Sequence, residues 1–198
     1  INHGPEYEIE KLEVDATQSL APLVIKLKKL SLPSDFGKWW SGDVHVHMNY
    51  GGNYRNTPER LIQQAKAENL NFTYNLIVNK EQRVPDIDYF STLPDRASTN
   101  EFMLLHGQEF HTSVWGHLGL LNLKNNLIIP DYAGYPQTAA ASLFPNNRFI
   151  ADRAHEQDGM VGYVHPFERS EFTPAQSASL INELPVDAAL GKVDYYEL

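Results

Sequence analysis

Two histidines alternate with valines in the segment WWSGDVHVHMNYGG, which runs from Trp39 to Gly52. Successive side chains of an extended strand point to opposite faces, so His45 and His47 share one face, and Asp43 lies on that face too. Two imidazoles about 7 Å apart at the carboxyl end of a strand can reach one divalent cation. The pattern also fits a buried strand with two hydrogen-bonded histidines, so this segment alone leaves both interpretations open.

The sequence after this segment alternates strands with helices. Thr57 and Pro58 mark a helix start, because Thr caps the first turn and Pro suits the first helical position. The apolar stretch that follows this helix completes a strand–helix–strand unit, which predicts parallel pairing with a right-handed crossover. The predicted elements are a helix at 58–69, strands at 71–78, 102–110, 117–123, 160–164 and 192–198, and helices at 147–158 and 174–183.

This order of elements predicts an α/β fold with about six strands from position 43 onward. A complete (β/α) barrel commonly takes about 250 residues, more than the 198 of this chain. We therefore expect a barrel that is truncated at its carboxyl-terminal side, whose open strand edges favour self-association. Two long segments rich in Pro, 79–100 and 128–147, are expected to be loops of the kind that bind substrates or cover sites.

Residues 1–36 differ in pattern from the rest of the chain. Apolar and charged residues alternate at 6–10 and again at 25–28, which is the period of half-exposed antiparallel strands. We predict a short β element here, the remnant of a preceding β domain, with residues 37–198 forming the main domain. An edge hairpin of the main domain fits the pattern equally well.

The composition excludes several classes of function. The formal net charge of −9 and the pI near 5.3 argue against nucleic acid or a membrane surface as a partner. No apolar run approaches the roughly 20 residues of a membrane helix, which predicts a soluble chain and leaves its compartment open, an extracytoplasmic one included. Because the chain has no cysteine, a metal would bind imidazole and carboxylate groups. A small molecule is then the expected substrate.

Further candidate ligands stand at the ends of predicted strands. Glu109 ends the strand LLHGQEF, His117 opens the strand in WGHLGLL, and His165 closes the strand in MVGYVHP. Ligands at strand ends in an α/β chain meet at one rim of a barrel, where active sites of such barrels lie. His111 lies two residues after Glu109 and could share its face, whereas His106 has the opposite strand parity and is expected to be structural.

Three ordered motifs, GDVHVH, then GQEFH with GHLGLL, and then GYVHPF, resemble those of the PHP (polymerase and histidinol phosphatase) superfamily. The tryptophans before the first motif and the β element ahead of it are similar to the CehA/McbA-type metallohydrolase branch. The resemblance covers residues 37–198 and implies a distorted (β/α)7 barrel with two divalent ions, zinc, manganese or iron. It implies that His45, His47 and Glu109 hold the first ion, and that Glu109, His117 and His165 hold the second.

The resemblance also implies a metal-dependent hydrolase that uses a metal-bound hydroxide on a phosphoester or related ester. Two ions about 3.5 to 4 Å apart lower the pKa of a shared water towards about 7 and polarise the substrate's oxygen. One alternative is an amidohydrolase-type barrel enzyme, which opens with a similar Asp-X-His-X-His strand but bridges its metals with a modified lysine. Another is a non-catalytic PHP-derived module that binds a ligand.

The chain departs from the family pattern at three places. Residues 76–78 read Leu-Ile-Val where the family has Thr-Asp-His, and residues 50–52 read Tyr-Gly-Gly in place of Ser-Asp-Gly. Both places normally help to build a third metal site, so that site is expected to be absent. The family's last motif, Asp-X-His, would lie beyond Leu198, so we expect the first ion to lack one ligand and the chain to be catalytically incomplete.

Overall fold

The structure is a computed structural model that describes residues 1–15, 17, 22–51, 53–78, 86–128, 141–166 and 182–197. Six strands form one sheet, and their order across the sheet is also their order along the chain. The strands are β1 Gly42–Val46, β2 Phe72–Val78, β3 Met103–His111, β4 His117–Leu121, β5 Met160–Tyr163 and β6 Tyr195–Tyr196. The sheet is curled into a half-barrel, and the fold is mixed α/β with few helices.

The directions of the strands bring one end of every strand to a common edge. β1, β2 and β3 run parallel, β4 runs antiparallel to β3 and β5, and β6 runs parallel to β5. The carboxyl ends of the other strands therefore share an edge with the amino end of β4, and we call this the carboxyl edge. The first and last strands approach each other there, because His45 Nδ1 lies 2.9 Å from Glu197 Oε2.

The predicted parallel strand–helix–strand unit is confirmed by β1, α1 (Pro58–Ala67) and β2. Thr57 caps α1 by accepting a hydrogen bond from the Arg60 backbone N–H. The expectation of parallel connections is wrong at β4, which returns from β3 as an antiparallel hairpin through the short loop 112–116. A loop of this length can reverse the chain, but it cannot cross back over the sheet to start a parallel strand.

Two further helices follow β4. α2 (Asn147–His155) lies within the predicted helix 147–158 and is capped by Asn146, whose side chain accepts a hydrogen bond from Phe149 N. α3 (Leu184–Ala189) is not predicted from the sequence. The predicted helix 174–183 lies outside the described residues except for its last two residues. None of the helices in the described ranges is long and apolar enough to cross a membrane.

Two apolar clusters pack the helices against one face of the sheet. The smaller one joins α1 to Met48 and Leu104. The larger cluster joins α2 to strands β2 to β5, and its most buried members include Ile77, Phe110, Leu118, Leu120, Ile150 and Val161. Because side chains alternate along a strand, Glu109 points away from this face, on which its neighbour Phe110 packs. Packing of Phe110 on the helix face thus leaves Glu109 on the opposite face of the sheet.

The amino-terminal residues pair with each other and contact α1. Tyr7 forms an isolated antiparallel bridge with Lys29. The ring nitrogen Nδ1 of His3 lies 2.7 Å from the carbonyl oxygen of Ala67, at the end of α1. The pairing has the antiparallel sense that the alternation predicts, whereas a boundary at residue 36 stays a prediction.

Asn147 joins α2 to the loop between β3 and β4. Its side chain is buried, and Nδ2 lies 2.9 Å from the Trp115 carbonyl oxygen, 3.4 Å from that of Gly116 and 3.0 Å from Tyr163 Oη. Tyr163 Oη in turn donates to Asp187 Oδ2 at 2.7 Å. The first residue of α2 therefore holds the loop that leads into β4.

We expect Asn147→Ala to lower the free energy of unfolding by about 1 to 3 kcal/mol, because it removes a buried donor that three acceptors share. Urea unfolding followed by circular dichroism measures the change. Asn125→Ala, at an exposed position, is the matched control and is expected to cost less than about 0.5 kcal/mol. Equal shifts in the two variants would show that the buried amide contributes nothing beyond an exposed one.

Candidate metal centre

Five histidines and one glutamate converge at the carboxyl edge of the sheet, and we call them the His–Glu cluster. The cluster contains every residue that the sequence singles out as a metal ligand, together with one more histidine from the end of β3. The antiparallel direction of β4 places its first residue here, between the ends of β3 and β5. The members are His45, His47, Glu109, His111, His117 and His165.

One carboxylate oxygen of Glu109 faces the two histidines that follow from β1. Oε2 lies 2.8 Å from His47 Nε2 and 3.4 Å from His45 Nε2, and the two nitrogens are 3.1 Å apart. Two ligands of a tetrahedral ion with bonds of about 2 Å are themselves separated by about 3.3 Å. These three atoms therefore have the mutual spacing of ligands that share one ion.

The other carboxylate oxygen of Glu109 faces three histidines. Oε1 lies 3.0 Å from His111 Nε2, 3.0 Å from His117 Nδ1 and 3.3 Å from His165 Nε2. The rings of His111 and His117 are stacked, with their centroids 3.6 Å apart. Glu109 is buried between the two groups of imidazoles. Its two oxygens thus face two different sets of donors, which is the arrangement of a carboxylate that bridges two ions. We call these two sets the halves of the cluster: His45 and His47 at Oε2, and His111, His117 and His165 at Oε1.

The ligand atoms also form two triplets whose members lie within 4.8 Å of one another: His45 with Glu109 and His165, and Glu109 with His111 and His117. Both triplets contain Glu109, the residue to which the resemblance gives a bridging role. His165 lies between the two triplets: its Nε2 faces Oε1 of Glu109, as the nitrogens of His111 and His117 do, and its ring centroid is 5.1 Å from that of His117 and 5.7 Å from that of His45. His111 takes a place in the second triplet.

Acceptor groups behind the cluster orient the histidines of β1. His47 Nδ1 lies 2.9 Å from the Leu76 carbonyl oxygen. His45 Nδ1 lies 2.9 and 3.0 Å from the two carboxylate oxygens of Glu197. An acceptor at Nδ1 keeps the ring proton there and directs the Nε2 lone pair at the site. Both rings are therefore held in the orientation of metal ligands.

Glu197 is a residue that sequence analysis misses. It lies directly after β6, at the carboxyl edge, two residues beyond Tyr195, which is in register with Glu109 across the sheet. The strand at 192–198 is predicted, and a carboxylate at its end is the signal that could have identified this side chain. The resemblance places the remaining ligand of the first ion beyond Leu198, whereas the structure supplies a carboxylate that contacts the His45 ring from behind.

The charges in the cluster depend strongly on one another. Burial opposes the negative charge of Glu109, but contacts with the surrounding histidines, His111 first among them, outweigh burial and hold the pKa of the Glu109 carboxyl well below its usual range. Burial likewise disfavours the charged form of His45, but Glu109 and Glu197 raise the pKa of His45 to about 9. Glu109 is therefore ionised, and the space between its oxygens and the imidazoles favours a positive charge.

Two other histidines lie outside the cluster, and the first of them, His106, is the one that the sequence flags as structural. His106 is buried on β3, and its Nε2 lies 3.0 Å from Asp95 Oδ2. His155, at the end of α2, has its Nε2 2.9 Å from Asp194 Oδ2. Each of these imidazoles is thus paired with a carboxylate away from Glu109.

Two further expectations concern the strand ends. Asp43 does not join the cluster, because its Oδ1 accepts a hydrogen bond from the His45 backbone N–H at 2.9 Å. The pairing of β1 with β2 is irregular between Asp43 and Val46, which breaks the simple alternation of side chains. Residues 76–78 are buried apolar side chains at the end of β2 and offer no ligand atoms. The absence of a third site remains a prediction.

A row of four residues crosses the sheet beside the cluster. Glu109, Gly119, Gly162 and Tyr195 are direct partners on β3, β4, β5 and β6. A Cβ atom at Gly162 would overlap the Tyr195 ring, and one at Gly119 would overlap its hydroxyl oxygen. The two glycines therefore leave room for Tyr195 to reach across two strands towards Glu109. Its hydroxyl is buried, has no hydrogen-bond partner among the described residues, and has its pKa raised by burial, so it stays protonated.

The chain is thus a curled α/β half-barrel with a candidate metal centre at its carboxyl edge. The centre is rich in imidazoles, and one carboxylate, that of Glu109, belongs to both of its ligand triplets. Neither the comparison with protein-family models nor the comparison with curated proteins gives a match to this chain. The functional argument therefore depends on the geometry and the chemistry of the residues themselves.

Proposed function

We propose that this chain carries a two-metal hydrolase centre of the PHP type that acts on a phosphoester or related ester. The observation that carries the proposal is the environment of Glu109, each of whose two carboxylate oxygens faces a separate group of imidazole nitrogens. A carboxylate in this position fixes the separation of two ions, which in two-metal hydrolytic sites is about 3.5 to 4 Å.

The donor atoms of the cluster fit first-row divalent ions. Imidazole nitrogen suits zinc and iron, and the carboxylate oxygen also suits manganese. Converging nitrogen lone pairs and a buried carboxylate are costly without a cation or a proton between them. The 3.1 Å separation of His45 Nε2 and His47 Nε2 is consistent with two lone pairs that point at one ion.

Divalent ions bound on both sides of Glu109 would lower the pKa of a shared water to about 7 and polarise the oxygen of the ester. Hydrolysis transfers the hydroxyl group of water to the phosphoryl or acyl group, and the departing alcohol takes up a proton. Glu109 holds the two halves of the centre together, and the Leu76 carbonyl and Glu197 keep the β1 histidines oriented. The Tyr50 ring, 5.3 Å from that of His47, borders the centre on its exposed side.

The proposal includes a distorted (β/α)7 barrel as the complete architecture. The consecutive order of the six strands supports it, and so does the position of all three family-like motifs at one edge of the sheet. Glu109 also stands between the histidine groups where an amidohydrolase-type site has its modified lysine, which favours the PHP type over that alternative.

The proposed function is tested by measuring bound metal and hydrolysis on the same protein. Metal-stripped protein is reconstituted with Zn²⁺, Mn²⁺ or Fe²⁺, and bound metal is quantified by mass spectrometry. Turnover of p-nitrophenyl phosphate, bis(p-nitrophenyl) phosphate and p-nitrophenyl acetate is then followed, together with that of an amide and a cyclic imide. We expect about two ions per chain and ester hydrolysis that a chelator abolishes. His47→Ala should lose the ion on the Oε2 side of Glu109 and, with it, hydrolysis. His155→Ala, which changes a histidine outside the cluster, should retain both ions and hydrolysis.

The outcomes separate the alternatives. Uptake of metal without hydrolysis of any ester would favour the non-catalytic ligand-binding module. Metal-dependent hydrolysis restricted to amide and cyclic-imide substrates would favour the amidohydrolase type. A folded wild-type protein that binds none of the three ions would overturn the proposal.

A further inference from the structure

Glu197 contacts two different strands of the centre through one carboxylate. Its two oxygens lie 3.0 and 2.9 Å from His45 Nδ1, at the end of β1. Its Oε2 also accepts a hydrogen bond from the backbone N–H of His165, after β5, at 3.1 Å. The same carboxylate oxygen therefore serves one histidine through its ring and another through its backbone.

The contact with His45 determines which ring nitrogen faces the site. A neutral imidazole carries one proton, and only its unprotonated nitrogen can bind a metal. Glu197 is an acceptor at Nδ1, so the proton stays on that side and Nε2 remains free to face Glu109 Oε2, 3.4 Å away. Without this acceptor the proton can move to Nε2, and the ring loses its ability to bind an ion in this orientation.

The contact with His165 holds a backbone that few residues adopt. His165 has a φ of 33°, in the left-handed region that L-residues other than glycine rarely occupy. Such a conformation persists only where neighbouring groups hold it, and the hydrogen bond from His165 N to Glu197 does so. Glu197 is itself fixed to β5, because its backbone N–H donates to the Tyr163 carbonyl oxygen at 3.0 Å.

We infer that Glu197 is a positioning residue that couples the two halves of the His–Glu cluster, by fixing the ring of His45 and the backbone of His165 at once. The inference rests on the proposed function, since it concerns the same metal centre. It makes a distinct claim: one carboxylate that binds no ion itself controls the affinity of both sites. Loss of Glu197 should weaken both binding steps, although His45 and His165 approach different oxygens of Glu109.

The test uses Zn²⁺ titrations of the metal-stripped chain, with the two binding steps resolved by competition with a chromophoric chelator. Glu197→Gln keeps the size of the side chain but replaces one acceptor oxygen with an amide donor, and we expect it to weaken both steps about 10-fold. Glu197→Ala removes all acceptors and should weaken both about 100-fold. At a pH above the His45 pKa of about 9, where the ring is neutral, nitrogen NMR should show His45 shifted from the Nδ1–H towards the Nε2–H tautomer in both variants.

Asp194→Asn is the matched control for the integrity of β6. Asp194 precedes the same strand and likewise accepts from one histidine ring, His155, at 2.9 Å and from one backbone N–H, that of Val161, at 2.8 Å. Because neither partner belongs to the cluster, this variant should retain both Zn²⁺ affinities and the His45 tautomer. A general loosening of the strand would affect the control as well.

Three results would overturn the inference. Both Glu197 variants could bind Zn²⁺ within about 2-fold of the wild type, they could lose only the ion held by His45, or Asp194→Asn could weaken binding as much as Glu197→Gln. If Glu197→Ala does not fold, Glu197→Gln still decides between these results. A wild-type chain that takes up no Zn²⁺ overturns the proposed function together with this inference, whereas wild-type uptake that is insensitive to Glu197 overturns this inference alone.

Discussion

Glu109→Gln is expected to lower the affinity for Zn²⁺ in both halves of the His–Glu cluster, by at least about 100-fold, since even an outer-shell substitution commonly costs 10- to 100-fold. Glutamine has the same size but only one oxygen, and its amide nitrogen is not a metal ligand. The half that faces the amide nitrogen therefore loses a ligand, and the half that faces the amide oxygen has a neutral ligand in place of a charged one. Zn²⁺ titration of the metal-stripped protein measures both steps.

His165→Ala provides the comparison that separates bridging from simple participation. It removes one nitrogen that faces Oε1 of Glu109, so mainly the ion on that side of Glu109 should be lost. Glu156→Gln, at an exposed position on the protein surface, is the matched carboxylate control and should leave both affinities unchanged. Equal stoichiometry in Glu109→Gln and His165→Ala would count against a bridging role for Glu109.

Gly162→Ala is expected to lower the free energy of unfolding by about 1 to 3 kcal/mol, because an added methyl group in a packed site forces its neighbours to move. The Cβ atom of an alanine at this position would overlap the ring of Tyr195 on the adjacent strand β6. Displacement of β6 would also move Glu197, so Zn²⁺ affinity should fall with stability. Urea unfolding and Zn²⁺ titration of the same preparation measure the two effects.

A double-mutant cycle with Tyr195→Ala tests the cause. If the overlap with the ring is responsible, Gly162→Ala should cost little in a chain that already lacks the ring, and the two substitutions should show a coupling of about 1 to 3 kcal/mol. Additive effects would mean that the alanine clashes elsewhere or changes the strand itself. Gly119→Ala, which would overlap the Tyr195 hydroxyl and the Val164 side chain, should be relieved only in part by the same substitution.

The sequence by itself determined the local structure and most of the chemistry. The alternation of His45 and His47 with valines indicates a strand that ends in two imidazoles, and the Thr57–Pro58 pair marks the start of α1. Such patterns are readable because hydrophobic period, helix caps and turn residues act within a few positions of each other. The chain contains no cysteine, which likewise limits the ligands of a metal site to imidazole and carboxylate groups.

Only the tertiary structure decided which of these side chains meet, and in which order. The turn at 112–116 makes β4 antiparallel, which places His117 at the same edge as the carboxyl ends of its neighbours. The curl of the sheet brings Glu197 of the last strand to His45 of the first, across almost the whole described chain. Strand direction and long-range proximity arise from packing of the helix face and from the curl of the sheet, which no local sequence period records.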